Sequence, residues 1–242
     1  MTIITVDESQ RKAAKVAGFA YLITFAIVVY VNFGIHDHLI TQNNAETARN
    51  ILAHERLFRI GIAGDLIYCV GVVVLLTALY VILKPVSRGL ALLGAFWRLV
   101  WVLMWLAMTL HLFDTLRLLS DPDAVRAFES DRLHALASLY LSTRADYYYV
   151  GLLFGALAST VCGYLWFKSR YIPRALAVFG VISSAFCVAC TLVFYIFPNF
   201  DKIVNLWWFD TPMGLFDIAL SVWLLIKGLR PSEAAVPTTQ AI

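Results

Sequence analysis

The sequence predicts an all-α integral membrane protein, a bundle of six transmembrane helices. Three observations predict it. The 242-residue chain is 61% apolar and only 14% charged, whereas a soluble domain is about half apolar and a quarter charged. The apolar residues gather into six runs of 16 to 30 residues, around the roughly 20 that cross a hydrocarbon core. Lys and Arg crowd into every second connection between those runs, the bias of cytoplasmic loops.

The runs lie near 16–35, 57–83, 89–118, 147–167, 174–197 and 212–227. In lipid the backbone must satisfy its own hydrogen bonds, so these are helices or closed barrel strands. They lack the short alternation of barrel strands. The first run follows Arg11, Lys12 and Lys15, is long for a signal-peptide core and meets no convincing cleavage site. It reads as a retained first span. The second and third spans are joined by KPVSR, the fourth and fifth by KSRYIPR, with Pro85 and Pro173 as breakers. These two connections, the N-terminal segment and the stretch holding Lys227 and Arg230 are basic, while the opposite loops mix signs. Both termini are therefore expected in the cytoplasm, with the protein multi-pass in a cell (inner) membrane.

The outer connections are longer. Residues 44–54 have a helical pattern with Asn44 as the expected N-cap. Residues 131–143 read as a separate interfacial or re-entrant helix, too short to span. If they insert, the bundle has seven helices. Residues 1–230 are expected to form a single bundle and 231–242 a disordered tail. Cys69, Cys162, Cys187 and Cys190 all lie in apolar runs and suit packing better than a disulfide framework.

The stretch FRIGIAGDLIYCVGVVVLLTALYVILKPVSRGLALLGAFWRL at 58–99, the segment ARNILAHERLF at 48–58 and GLLFGALASTVCGYLWFKSRYIPRALA up to residue 177 resemble a family of small bacterial membrane proteins catalogued as a domain of unknown function. The most specific pieces are Gly61 to Asp65 and the KPVSRGLAL turn. The resemblance covers most of residues 12–228. It implies a six-helix bundle and transfers no catalytic assignment.

Ionisable groups within spans cost about 2.5–3.5 kcal/mol on insertion scales and usually face the bundle interior. Here they are Arg59, Asp65, Arg98, His111, Asp114 and Asp217. At 1.5 Å per residue, Asp65 lies roughly 12 Å inside the outer end of its helix, with His111, Asp114 and Asp217 also in the outer half. Arg98 starts near mid-membrane and is the expected ion-pair partner of Asp65. His111 and Asp114, three apart, share a face, an arrangement in which a carboxylate can orient an imidazole. Asp65, His111, Asp114 and Asp217 are thus the candidate acid–base groups. Arg98, Trp101 and Trp105 are candidate ligand-binding residues, the tryptophans belonging to an aromatic stripe with Trp97 that packing alone also explains. Gly151 and Gly155 form a close-packing GxxxG, and Gly61 and Gly64 are expected to admit a neighbour beside Asp65. His36 and His38, in the loop sequence HDH, could add ligands, but no HExxH occurs and no metal site is assigned.

No cofactor is named by the sequence. The expected partners are the bilayer and an apolar small molecule. No P-loop or Rossmann fingerprint is present, and the short basic loops report topology rather than nucleic-acid binding. Three activities fit. They are an intramembrane enzyme or binding protein for a lipid-like molecule, a non-catalytic membrane partner or assembly factor, and a small-solute or proton-coupled transporter. The transporter lacks support from an inverted repeat.

Overall fold

The structure, a computed structural model, describes residues 6–41, 43–121, 130–197, 203–205 and 207–230. Every regular element among them is helical. Helix α1 (Glu8–Val31) runs on through a π-helical turn, Asn32–His36, and a last turn, Asp37–Leu39. Then come α2 (Asn44–Ala53), α3 (Glu55–Leu83), α4 (Arg88–Ser120), α5 (Ser130–Ser169), α6 (Arg174–Ile196) and α7 (Trp207–Ile226). Six helical stretches are long and apolar enough to span: Glu8–Leu39, Glu55–Leu83, Arg88–Ser120, Leu136–Ser169, Arg174–Ile196 and Trp208–Ile226. The chain is a multi-pass membrane protein, and α2 is a seventh, short helix.

Local chemistry sets the ends. Asp7 and Gln10 form a capping box: Asp7 Oδ1 accepts from the Gln10 amide at 2.6 Å, and Gln10 Oε1 from the Asp7 amide at 3.1 Å. Helix α2 is capped by Asn43, whose side chain accepts from the Ala45 and Glu46 amides, one residue before the expected Asn44. Helix α7 closes before Gly228, which takes φ +65°, and the Gly228 amide donates to the Trp223 carbonyl.

Two larger departures from the sequence reading matter for the site. Residues 131–143 are not a separate helix but the first turns of α5, which runs 40 residues without a break. No Gly or Pro occurs from 130 to 150, and Ser142 and Thr143 donate back to the Leu139 and Tyr140 carbonyls, so their hydroxyls are absorbed within the helix. The first span likewise does not stop at 35, because the π turn carries the chain on to Leu39. The tail 231–242 and the His134 side chain lie outside the described residues.

The chain groups into two compact units. The first comprises Met1–Tyr21, Val74–Trp97 and Ala156–Ile242, the second Leu22–Val73 and Arg98–Gly155. In the first, Tyr21, Leu79, Ile82, Trp166, Tyr171 and Phe216 belong to one apolar cluster. Its buried Gln10 donates to the Ile82 carbonyl at 2.9 Å and to the Tyr171 hydroxyl at 3.2 Å. In the second, one cluster gathers Ile35, Ile51, Phe58 and Leu112, and another Tyr68, Val72, Val102, Trp105 and Met108. The buried polar side chains described next belong to the second unit.

Candidate functional site

The site begins with a carboxylate. Asp65, on α3, is 1% exposed. Its Oδ1 accepts a hydrogen bond from Trp105 Nε1 at 3.1 Å. Its Oδ2 stands 3.3 Å from Nε2 of His36, which is 0% exposed. That approach is within ion-pair reach but is not aligned as a hydrogen bond, so His36 Nε2 and Asp65 Oδ2 both keep unused hydrogen-bonding capacity, as does His36 Nδ1.

Glycine makes this meeting of α1 and α3 possible. A Cβ added at Gly61 would stand 3.2 Å from the Ile35 side chain and 3.3 Å from His36 Nε2, and one at Gly64 only 2.5 Å from Val31. The two glycines admit a neighbour beside Asp65, as the sequence predicts, and the neighbour is the end of α1. The π turn matters equally. Such turns insert a residue into a helix and recur at functional sites; here one brings His36 against Asp65.

Aromatic rings surround the carboxylate. Trp101 Nε1 donates to the Tyr68 hydroxyl at 3.0 Å. The ring centroids of Tyr68 and Trp105 lie 4.5 Å apart, Trp101 and Trp105 5.3 Å, and Trp101 and Tyr148 5.6 Å. The Trp101 indole rests on α5 where Gly151 and Gly155 lie: a Cβ at Gly151 would come 2.9 Å from it. Along α4 and α5, His111 Nε2 lies 2.9 Å from the Tyr147 hydroxyl. Arg144 donates through Nη2 to Asn32 Oδ1 on the π turn.

The structure corrects the Asp65–Arg98 pair. Both residues are buried, Arg98 to 7% exposure, but Asp65 is engaged by Trp105 and His36. The reason is register. Asp65 meets Trp105 and Tyr68 meets Trp101, so Arg98 lies level with about residue 72, roughly 10 Å further along α3 than Asp65. The same applies to His111, which turns to Tyr147 rather than to Asp114; Asp114 is half-buried one turn along α4. Asp217 lies on α7 in the first unit. Trp101 and Trp105 are in the cluster, whereas Trp97 belongs to the first unit. Arg59 pairs with Glu55 on the surface at 2.7 Å. The four cysteines are free thiols. No three His, Cys, Asp or Glu side chains converge as metal ligands among the described residues.

Residues 16–228 match the family described as Domain of unknown function (DUF4386). The chain belongs to that family. The match spans every residue of the cluster from Asn32 to Tyr148, and agrees with the resemblance read from Gly61–Asp65 and KPVSRGLAL. No curated protein and no solved structure matches the chain. For this DUF4386 protein the chemistry must therefore be argued from the site itself. An imidazole opposed by a carboxylate that an indole holds in place can accept and return a proton. Sequence reasoning names His36 only as a possible metal ligand in an outer loop, and it does not place Arg144 in the site. The signal for His36 is its position one residue beyond the expected end of the first span at 35, against Gly61, four residues before Asp65.

Proposed function

We propose that this protein binds an amphiphilic, lipid-like molecule in its second unit, with the polar end of the molecule at His36 and Asp65 and acid–base work done there. The carrying observation is that these two side chains, inside membrane-spanning helices and essentially unexposed, hold three polar atoms without a hydrogen-bond partner. More than nine in ten buried polar groups are bonded, and exceptions mark strained, catalytic or ligand sites. His111 Nδ1 adds a fourth such atom in the same unit.

A cavity of about 210 Å³ also lies in this unit, lined by Ile40, Thr41, Thr47, Leu119, Ser138, Leu141 and Ser142 and not by His36, Asp65 or Trp105. Small-molecule sites usually enclose about 300–1,000 Å³. This one is smaller and holds none of the site residues, so the reading rests on the unbonded atoms of His36 and Asp65. The basic connections support placing both termini in the cytoplasm of a bacterial cell and this unit toward the outer leaflet.

Native mass spectrometry of the protein released from detergent tests the proposal. A retained amphiphile adduct is expected on the wild type, depleted at least tenfold in Asp65→Asn and Trp105→Phe. A bare wild type, or equal adducts on all three, contradicts it. A second reading is architectural: the rings around Asp65 are already in contact at 4.5–5.6 Å, as a cluster that only locks helices would be. Variants that lose melting temperature while the wild type carries no adduct favour that reading.

A further inference from the structure

We infer that the molecule held in the second unit carries an anionic group, a carboxylate or a phosphate, and that Arg144 is the residue that binds it. This rests on the amphiphile reading and names the charge of its polar end. Arg144 sits within the candidate span Leu136–Ser169 and is half-buried. A guanidinium carries five N–H donors in a rigid fork and stays charged. Its hydrogen bond among the described residues goes to the side-chain carbonyl of Asn32, which is neutral. No carboxylate among the described residues comes within ion-pair distance of it. A cation within a span normally has a partner of opposite charge or a polar surrounding.

Asp65 faces other side chains. Asp65 lies close enough to Arg144 to act on it through space, yet both its oxygens are directed at Trp105 and His36. Asp37, the other acid in electrostatic range, is exposed. The guanidinium thus keeps donors in hand.

The surroundings are those of a headgroup site. Asn32 and His36 stand at the two ends of one π turn, so the residue that receives Arg144 and the imidazole with an unbonded Nδ1 share that turn. Tyr148, the fourth residue on from Arg144 along α5, packs on Trp101 and Trp105. An anion on the Arg144 fork would lie beside a histidine able to donate to it. Its attached chain would have an aromatic wall to follow. Arginine binds carboxylate and phosphate oxygens in bidentate geometry, which a lysine point charge does not reproduce.

The purified full chain in a neutral detergent, titrated with oleate, dioleoyl phosphatidylglycerol and dioleoyl phosphatidylcholine, tests this by native mass spectrometry. We expect oleate, phosphatidylglycerol or both to bind at least tenfold more tightly than phosphatidylcholine. A preference for oleate alone assigns a carboxylate, and for phosphatidylglycerol alone a phosphate. Competition by millimolar inorganic phosphate would assign recognition to the phosphate rather than to the chain. Arg144→Gln should abolish the preference and Arg144→Lys should retain part of it, with melting curves confirming that both variants are folded. Equal binding of the three amphiphiles by the wild type, or an unchanged preference in Arg144→Gln, overturns the inference. If that equal binding is lost in Asp65→Asn, the amphiphile reading survives without the anion; if nothing binds, both fail.

Discussion

Asp65 is held between an indole and an imidazole that come from helices on either side of it in the sequence. Trp105 donates to one carboxylate oxygen and His36 faces the other. Removing the Trp105 N–H strands a buried acceptor, which costs about 1–3 kcal/mol. Trp105→Phe keeps most of the ring and loses only the N–H, so its melting temperature should fall by that amount of stability. Asp65→Asn and His36→Gln should each destabilise, and the double variant should lose less than the two single losses added. A coupling of about 0.5–3 kcal/mol is the range for contacting residues. Thermal melts in detergent measure the cycle, and strict additivity would mean that the two side chains do not interact. Asp65 as a buried interior group was legible, because a carboxylate in a span has to face protein. Its partner was not. Helix periodicity gives faces, but the register between antiparallel helices depends on the turn that joins them, and that register set Trp105 opposite Asp65 and moved Arg98 about two turns away.

The elements owe their close approach to glycines whose roles differ by position. A Cβ at Gly180 of α6 would fall 2.5 Å from the Phe216 ring of α7, which is buried. A Cβ at Gly214 meets nothing within 4 Å. Alanine is favoured over glycine in a helix by roughly 0.8–1 kcal/mol. Gly214→Ala should therefore raise stability by up to about that much. Gly180→Ala should lower it by about 1–3 kcal/mol, the usual cost of overpacking, because a fully packed ring cannot yield. Opposite signs in a thermal melt are the expected result. The small residues were legible in the sequence as packing sites, and GxxxG at Gly151 and Gly155 found its occupant in Trp101. The continuity of α5 was less legible. A polar start followed by an apolar span reads as two segments, yet nothing in it breaks a helix.

The whole molecule is a six-span membrane protein, and the number of spans was legible because hydrocarbon thickness sets the length an apolar run needs. Orientation rests on the loop charges. Single cysteines at Ser87→Cys, in a basic connection, and Ala45→Cys, in the α2 connection, should react with an impermeant maleimide from opposite sides of intact cells. Reaction of both from one side would reverse or break the proposed topology. The central claim is that the second unit receives an amphiphile at Asp65, His36 and their aromatic wall. A photoactivatable fatty amphiphile, with its diazirine near the polar end, tests this most directly when the labelled peptides are mapped by mass spectrometry. The account predicts label on the peptides holding Trp105 and Tyr148, competed away by the unlabelled compound and lost in Asp65→Asn. Label confined to peptides of lipid-facing positions such as Ile67 and Val70, and insensitive to competitor, would contradict it.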